Sequence, residues 1–330
     1  MNKTITSIIL ATTCWAATAV HAQVIRIAHD NQLDTPLHKS LVQFKNELEN
    51  QSDLGLQVEI YEGGQLGGVA EVTDMVQNNN MQMTAAASVL LAPYIPEFNV
   101  LDLFFLFDDE AHAHRVLDSD TGGMALLDAM APRGFKGLGF GEVGFRHMTS
   151  NLGPINDEET LARVRLRSAD NPMQIAAWRS VDATPIPLAW GEIYTSLQQN
   201  LINSQESAAF SVFSERFYEV QSHMTQSGHI YTNFVWFMNA GFFNRLSEAQ
   251  QQAVLEAADR AIDYQRELAL ESNTNVVGQL EDLGVEVSVM PDSLKAVMAE
   301  KMNGAVRNQL RERTGPALFD QVIDTVERLR

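Results

Sequence analysis

The sequence predicts an α/β protein built as two lobes. Strand-like segments, rich in alternating or β-branched apolar residues, take turns with helical patterns along most of the chain, which is typical of α/β lobes. The chain has 330 residues, 45% of them apolar, so it exceeds one typical domain and can fill two cores. A helical pattern from Ser247 to Leu283 would approach ~55 Å at about 1.5 Å per residue, which is longer than one lobe.

The first part of the chain contains three predicted strands. Residues 24–29, 57–61 and 81–87 have strand patterns, and residues 37–48 carry apolar side chains near helical spacing. The second strand ends at the glycine-rich run 63–68, which lacks the Gly-Lys-Ser/Thr ending of a phosphate-binding loop. We therefore predict a turn that leads into the next helix.

The run 139–144 matches the spacing GxGxxG. In dinucleotide-binding proteins a helix follows such a run, but here residues 145–149 alternate like a strand. The glycines are better explained as a flexible or closely packed crossing between the lobes. Arg146 lies just beyond this predicted hinge.

The long helical pattern has clear end signals. Ser247 and Gln250 make a capping box, and Gly284 is a natural stop. The polar run 272–275 leaves two alternatives open, a continuous helix or a break at that point. A strand over residues 285–289 and two final helices are predicted to follow.

The first 22 residues have the pattern of a secretory signal. Lys3 supplies the positive end, residues 8–20 a short apolar region, and small residues precede a cleavage site after Ala22. Cys14 is the only cysteine, so the mature protein would have neither a disulfide nor a thiol nucleophile. No later segment is long and apolar enough to cross a membrane, and we expect a secreted protein.

The mature chain would be strongly acidic. Its 22 basic and 42 acidic residues give a net charge of −20 once the signal, with Lys3 as its single charged side chain, is removed. Nucleic acids and anionic membranes are poor partners for such a surface. Because a binding site for an anion must then concentrate positive charge locally, clustered arginines become informative.

Motifs of common enzymes and metal sites are absent from the sequence. It contains no Gly-x-Ser-x-Gly elbow and no His-Glu-x-x-His zinc helix. His112 and His114 stand two apart on a predicted helix, so they point to different faces, and a solvated helix is the better interpretation. We expect no catalytic residue, no metal and no cofactor.

Arginines cluster on one predicted strand. Arg163, Arg165 and Arg167 alternate with two apolar residues and would share one face. Arg163 and Arg165 fit a solvated sheet edge, but Arg167 ends the strand at the polar loop 168–172, where α/β folds place their ligands. A guanidinium there can bind a carboxylate through two parallel hydrogen bonds.

Several motifs together resemble one family. The sequences VRLRSAD at 164–170 and PIPLAWGEIYTSLQQNLINSQES at 185–207 resemble the signature of the DctP-type solute-binding receptors of tripartite ATP-independent periplasmic (TRAP) transporters. Other parts of the pattern recur as GGQLGG at 63–68, VLDLFFLF at 100–107 and GFRHMTSN at 144–151. The resemblance covers nearly the whole mature chain.

The resemblance implies a two-lobed fold like that of periplasmic binding proteins, with a hinge, a cleft between the lobes and a long helix that crosses both. We expect lobe I to comprise residues 23–144 and about 230–272. Lobe II would comprise residues 145–229 and about 273–330, after the signal peptide of residues 1–22.

The resemblance also implies a ligand site. Arg167 would be the carboxylate anchor, Arg146 a second cation, and Trp190 an aromatic wall over the ligand. The family usually has Asn after Gln-Glu, where this chain has Ser207, whose hydroxyl offers one donor on a shorter arm.

Three neutral polar residues would complete the site. Ser88, Gln65 and Asn233 are at loop or strand positions that should face the cleft.

These features predict a periplasmic receptor, not an enzyme, that binds a small organic acid and delivers it to the membrane subunits of a TRAP transporter. A C4-dicarboxylate is the first expectation because two arginines suit two carboxylates, with uronates and other sugar acids close behind. Two alternatives remain, a ligand sensor for a membrane kinase and a secreted enzyme that acts on acidic sugars.

Overall fold

The computed structural model describes residues 23–330, so the predicted secretory signal lies outside the described residues. Within this part of the chain, no helix combines the length and the apolar character needed to span a bilayer.

Strands and helices alternate as the sequence predicts. The strands of residues 23–330 are β1 (Gln23–Ala28), β2 (Leu56–Tyr61), β3 (Met83–Ala87), β4 (Phe135–Phe145), β5 (His147–Ser150), β6 (Arg165–Ser168), β7 (Thr184–Pro187), β8 (Ser204–Ser207), β9 (His223–Gln226), β10 (Tyr231–Asn239) and β11 (Glu286–Val289). The α-helices are α1 (Pro36–Glu49), α2 (Val69–Gln77), α3 (Ser88–Leu91), α4 (Glu110–Leu117), α5 (Gly123–Asp128), α6 (Glu158–Ala162), α7 (Pro172–Ser180), α8 (Ile193–Gln198), α9 (Ala209–Ser214), α10 (Ala240–Arg245), α11 (Glu248–Asp282), α12 (Asp292–Thr314) and α13 (Pro316–Arg328).

The strands form two separate sheets, one for each lobe. Lobe I has the order β2-β1-β3-β10-β4, and lobe II has the order β11-β9-β5-β8-β6-β7. In lobe I, β1 pairs in parallel with β2 and β3, whereas β10 is antiparallel to both β3 and β4. The chain therefore enters lobe II, returns to lobe I for β10, and enters lobe II again.

The first crossing between the sheets is very short. The glycine run 139–144 lies within strand β4, and residues 147–149 of the predicted strand 145–149 lie in β5. A strand and not a helix follows the run, so the dinucleotide interpretation does not apply. A single residue, Arg146, separates the end of β4 in lobe I from the start of β5 in lobe II. The side chain of Arg146 bonds to Glu206 of the lobe II sheet.

The long helix α11 is continuous from Glu248 to Asp282, which settles the alternative of a break at 272–275. Its capping box at Ser247 and Gln250 is confirmed. The N-terminal half packs in the core of lobe I, where α1 and β4 lie against it. The C-terminal part contributes Val276 and Leu280 to the core of lobe II, so one rigid helix is anchored in both lobes.

Helix α12 also joins the two lobes. It packs against α7 of lobe II and against the 3-10 helix Pro96–Asp102, which precedes α4. Nearby, Phe104 packs edge-on against Trp178 of α7, with 5.9 Å between their ring centroids. Phe104 is 2% exposed, so it is part of the packed core.

Candidate functional site

A cavity of about 660 Å³ lies between the two sheets. Residues directly after β1 and β3 line it from lobe I, and residues directly after β6 and β7 line it from lobe II. These are the carboxyl ends of parallel strands, where open α/β sheets bind ligands. Both lobes therefore contribute to one enclosed space, as expected of a ligand cleft.

Arg167 is the most informative side chain in this cavity. It is 5% exposed, and its Nε donates to the backbone oxygen of Leu188 at 3.1 Å. No other hydrogen bond and no carboxylate partner for this guanidinium is found within residues 23–330. Burial lowers the pKa of Arg167 to about 10, with a smaller lowering by Arg146, so the group remains a cation at neutral pH. Its terminal nitrogens can therefore receive an anion from the cavity.

Trp190 stands beside this guanidinium. The carbon between the Arg167 nitrogens lies 5.6 Å from the centroid of the Trp190 ring, a cation–π distance. The ring is half-buried, packs edge-on against Phe217 and lines the cavity. It restricts the positions that Arg167 can take, and it offers an apolar surface next to the cation.

Arg146 also lines the cavity, but its charge is already paired. Its guanidinium binds the carboxylate of Glu206 on β8, with Nη2 and Oε1 3.0 Å apart. His229 Nε2 lies 3.3 Å from the same carboxylate. Burial by itself would raise the pKa of Glu206, but the Arg146 charge and the hydrogen bonds from His229 and Arg146 outweigh it and lower the pKa to about 2. Glu206 is therefore ionised throughout the neutral range.

The buried charges of this wall sum to a single positive charge. Arg146 and Glu206 neutralise each other, and Arg167 remains without an acidic partner. Buried ions without partners are costly, so the wall formed by lobe II can accept one anionic group and has no second cation for another.

The hinge beside the cavity is tied to the long helix. Asn273 of α11 donates through Nδ2 to the Val143 oxygen at 3.0 Å and accepts from the Phe210 amide at 3.0 Å. Gly144 has φ +106°, and a β-carbon there would lie 2.7 Å from Asn273 Nδ2. Only glycine fits this crossing without strain, which places the end of β4 directly against the helix.

Residues 27–313 match the family of bacterial extracellular solute-binding proteins called family 7, or DctP. The chain belongs to this family. It is 30% identical over 306 residues to a solute-binding protein of Verminephrobacter eiseniae, covering 93% of this chain and 90% of the relative. It is also 29% identical over 298 residues to the 2,3-diketo-L-gulonate-binding periplasmic protein of Escherichia coli, covering 90% of this chain and 89% of that protein.

A solved structure shows the same fold. The sugar acid binding protein of Advenella mimigardefordensis, in complex with galactonate, superposes with a TM-score of 0.88 at 26% identity. The match covers 94% of this chain and 100% of the other. The resemblance to the DctP family and the two-lobed fold predicted from it are both confirmed.

The remaining residues predicted for the DctP-type site divide into two groups. Ser88 lies at the start of α3, is 4% exposed and lines the cavity. Gln65 is in an exposed turn that ends three residues before the cavity-lining Gly68. The glycine-rich turn points its backbone toward the cavity and the Gln65 side chain toward solvent.

Ser207 and Asn233 lie outside the cavity lining, so the structure does not place them where the sequence prediction did. Both are fully buried, and neither side chain has a hydrogen-bond partner within residues 23–330. Successive side chains on a strand point to opposite faces. On β8 it is Glu206 that faces the cavity, so Ser207 faces away from it; on β10, Thr232 and Phe234 line the cavity around Asn233.

Sequence reasoning missed all six carboxylates that line the cavity. Glu71, Asp170 and Glu192 are exposed, whereas the other three are more buried: Glu206 on β8, Asp30 after β1 and Asp102 at the end of a 3-10 helix. The position of Asp30 directly after a predicted strand was a usable signal. Asp102 lies in an apolar run that predicts only core packing.

The two histidines of α4 have separate partners. His112 is buried and contacts the Val326 oxygen at 3.0 Å, so the expectation of a solvated helix is wrong for this residue. His114 contacts Glu142 of β4 at 2.6 Å. In the part of the chain that the structure describes, no three His, Cys, Asp or Glu side chains are placed to hold a metal ion.

Proposed function

We propose that this protein is a receptor for a small monocarboxylic acid, and that Arg167 binds the carboxylate of the ligand. The observation that carries this proposal is the buried Arg167 guanidinium, which lines the cavity and has no acidic partner within residues 23–330. Two parallel N–H donors of one guanidinium match the two oxygens of a carboxylate. Trp190 would pack along the carbon chain next to that group.

The charge balance favours one carboxylate over two. A C4-dicarboxylate was the first expectation because two arginines suit two carboxylates, but Glu206 neutralises Arg146. A second ligand carboxylate would therefore meet a neutral ion pair on one side and the carboxylates of lobe I on the other. Like charges at close range in a low-dielectric site are strongly unfavourable. A sugar acid with a single carboxylate fits these charges better.

We further propose that the receptor works in the periplasm and passes its ligand to the membrane subunits of a TRAP transporter. The family match and the predicted signal of residues 1–22 support this location. The two lobes would have the bounds expected from the sequence and close over the ligand at the β4–β5 crossing. Each strand falls in the lobe that those bounds give it, apart from the last residue of β4, Phe145.

Thermal unfolding of the mature protein with a panel of monocarboxylates, dicarboxylates and uronates tests the anchor. A ligand at a hundred times its Kd should add about 2.7 kcal/mol of stability. Arg167→Ala should abolish this stabilisation while the unliganded variant remains folded. The matched control is Arg165→Ala, since Arg165 is on the same strand but exposed and bonded only to backbone oxygens of residues 200 and 201.

Two results would contradict the proposal. A ligand whose binding is indifferent to Arg167→Ala would exclude this guanidinium as the anchor. Conversion of the bound acid to a product, followed by nuclear magnetic resonance, would support the secreted-enzyme alternative instead.

A further inference from the structure

The lobe I side of the cavity is anionic. The cavity-lining residues that lobe I contributes include Asp30, Glu71 and Asp102, and among the described residues of this wall there is no lysine or arginine. Both arginines of the cavity, Arg146 and Arg167, belong to the opposite wall. Lobe II also contributes three carboxylates, Asp170, Glu192 and Glu206. The two walls therefore differ in that only the lobe II wall carries cations.

Asp102 is buried in this wall without a cation. It is 3% exposed, and its Oδ2 accepts a hydrogen bond from Asn171 Nδ2 at 3.0 Å. No ion pair of Asp102 is found within residues 23–330. Burial raises the pKa of Asp102 to about 7, although hydrogen bonds from Asn171 and Gln174 oppose the rise. The carboxylate has an incomplete set of partners in this structure.

Asp30 is the second carboxylate of this wall, and it is bonded only within its own loop. It follows β1, and the hydrogen bond found for its side chain comes from the neighbouring Asn31 Nδ2 at 3.1 Å. Burial raises the pKa of Asp30. Because its one bond is to the next residue in the chain, this carboxylate does not hold any two elements of the fold together.

Ser88 is the third polar group of this wall and has no partner. Its side chain is 4% exposed and lines the cavity, and no hydrogen bond of its Oγ is found within residues 23–330. The Oγ is not among the fully buried atoms that lack a partner, so it is open to the cavity. It can both donate and accept a hydrogen bond, so a ligand hydroxyl would satisfy it.

The fold brings these three groups together. Strands β1 and β3 are parallel neighbours, so Asp30 and Ser88 follow them at the same sheet edge. Asn171 Nδ2 donates both to Asp102 Oδ2 and to the oxygen of Val89, the residue after Ser88, at 3.0 and 3.2 Å. One amide nitrogen thus touches both segments.

We propose that Asp30, Ser88 and Asp102 form a subsite for the hydroxyl groups of the ligand, at the end opposite its carboxylate. This proposal rests on the proposed function. The two carboxylates accept hydrogen bonds from ligand hydroxyls. Ser88 Oγ donates a hydrogen bond to a ligand hydroxyl or accepts one from it. The subsite selects polyhydroxylated monocarboxylates and rejects acids that place an apolar chain or a second carboxylate against this wall.

Binding of six-carbon acids to the mature protein, measured by isothermal titration calorimetry, tests the subsite. Gluconate and galactonate carry hydroxyls, hexanoate carries none, 6-aminohexanoate ends in an ammonium, and adipate ends in a second carboxylate. Since an unpaired buried polar group corresponds to roughly a tenfold loss or more, at least one hydroxy acid should bind about tenfold tighter than hexanoate. Adipate should bind more weakly than that hydroxy acid.

Three variants assign the preference to residues. Asp30→Asn, Ser88→Ala and Asp102→Asn should each reduce the preference for the hydroxy acid over hexanoate by about tenfold. Asp102→Asn keeps an oxygen that can accept from Asn171, so the fold should be retained. Asp128→Asn is the matched control, because Asp128 is exposed and lies outside the cavity lining.

The outcomes separate the two proposals. If hexanoate binds as well as both hydroxy acids, or if the variants weaken all acids equally, the subsite proposal is wrong and the carboxylate receptor stands. Tightest binding of 6-aminohexanoate would also overturn it and indicate a cation subsite. If no acid binds at all, both proposals fail.

Discussion

Glu206 determines how many negative charges the site can accept. Its carboxylate neutralises the charge of Arg146, whereas the charge of Arg167 has no acidic partner within residues 23–330. A glutamine at this position would keep the shape of the side chain but release the charge of Arg146. The same fold would then offer two cations to a ligand.

We therefore expect Glu206→Gln to shift selectivity toward dicarboxylates. A second unpaired cation within about 5 Å of a ligand carboxylate adds roughly 3 kcal/mol at an effective dielectric constant of ~20. Succinate affinity should rise by tenfold or more relative to a monocarboxylate, as measured by titration calorimetry. Asp128→Asn, at an exposed position outside the cavity lining, is the control. Unchanged selectivity would show that Arg146 does not reach the ligand.

Asp102 makes the stability of the unliganded protein depend on pH. Its pKa of about 7 in the folded protein exceeds the usual value of 3.8. A raised pKa contributes stability that is complete below pH 3.8 and is lost as the pH rises through 7. Three pKa units correspond to at most about 4 kcal/mol.

The variant Asp102→Asn should remove this dependence. Its free energy of unfolding relative to wild type should increase between pH 4 and pH 7 and stay constant above pH 8, as measured by urea denaturation. A difference for Asp102→Asn that is the same at every pH would mean that Asp102 is ionised in the folded protein as it is in water.

At the scale of elements, α11 is a rigid helix that connects the two lobes. Val254 belongs to a buried hydrophobic cluster of lobe I, and Val276 belongs to a different cluster in lobe II. Among the described elements, only α11 contributes to both of these clusters. At its middle, Asn273 bonds to β4 and α9 at the same time. The helix therefore fixes the hinge at the end of β4 relative to both lobes.

The variant Asn273→Ala should destabilise the protein by about 1–3 kcal/mol, because it leaves the Val143 oxygen and the Phe210 amide without partners. Urea denaturation measures the loss. Asn275→Ala provides the control, since Asn275 is exposed on the same helix. Equal effects of the two substitutions would mean that the bonds of Asn273 are replaced by water.

Particular elements show what the sequence could and could not predict. The ends of α11 followed from Ser247 and Gly284, within one or two residues. The polar run 272–275 left a break open, because a sequence pattern does not show that Asn273 bonds through its side chain while its backbone remains helical. Local signals fix the ends of an element, but tertiary contacts decide its interior.

The candidate site was predicted only in part for a similar reason. The positions of Arg167 and Arg146 at strand ends indicated the cavity, and both line it. Alternation along β8 showed that Glu206 and Ser207 face opposite sides, but the facing side depends on pairing with β5. Asp30 and Asp102 are far apart in sequence, so only the folded chain places them on one wall.

At the scale of the whole molecule, the positive charge of the cleft comes from one side only. The chain has 42 acidic residues, and of the two arginines that line the cavity only Arg167 has no acidic partner within residues 23–330. A receptor with so acidic a surface repels anions at long range, an effect that salt screens within about 8–10 Å. Specific anion binding therefore depends on the enclosed cavity rather than on the outer surface.

The position of β10 determines when lobe I can fold during synthesis of the chain. This strand lies between β3 and β4, yet it comes after five strands of the other sheet in the chain. A chain that has been synthesised only to residue 226 contains β3 and β4 but lacks β10, the strand that pairs with both of them. Lobe I cannot finish folding before residue 239 is available, so the polypeptide stays incompletely folded for most of its synthesis.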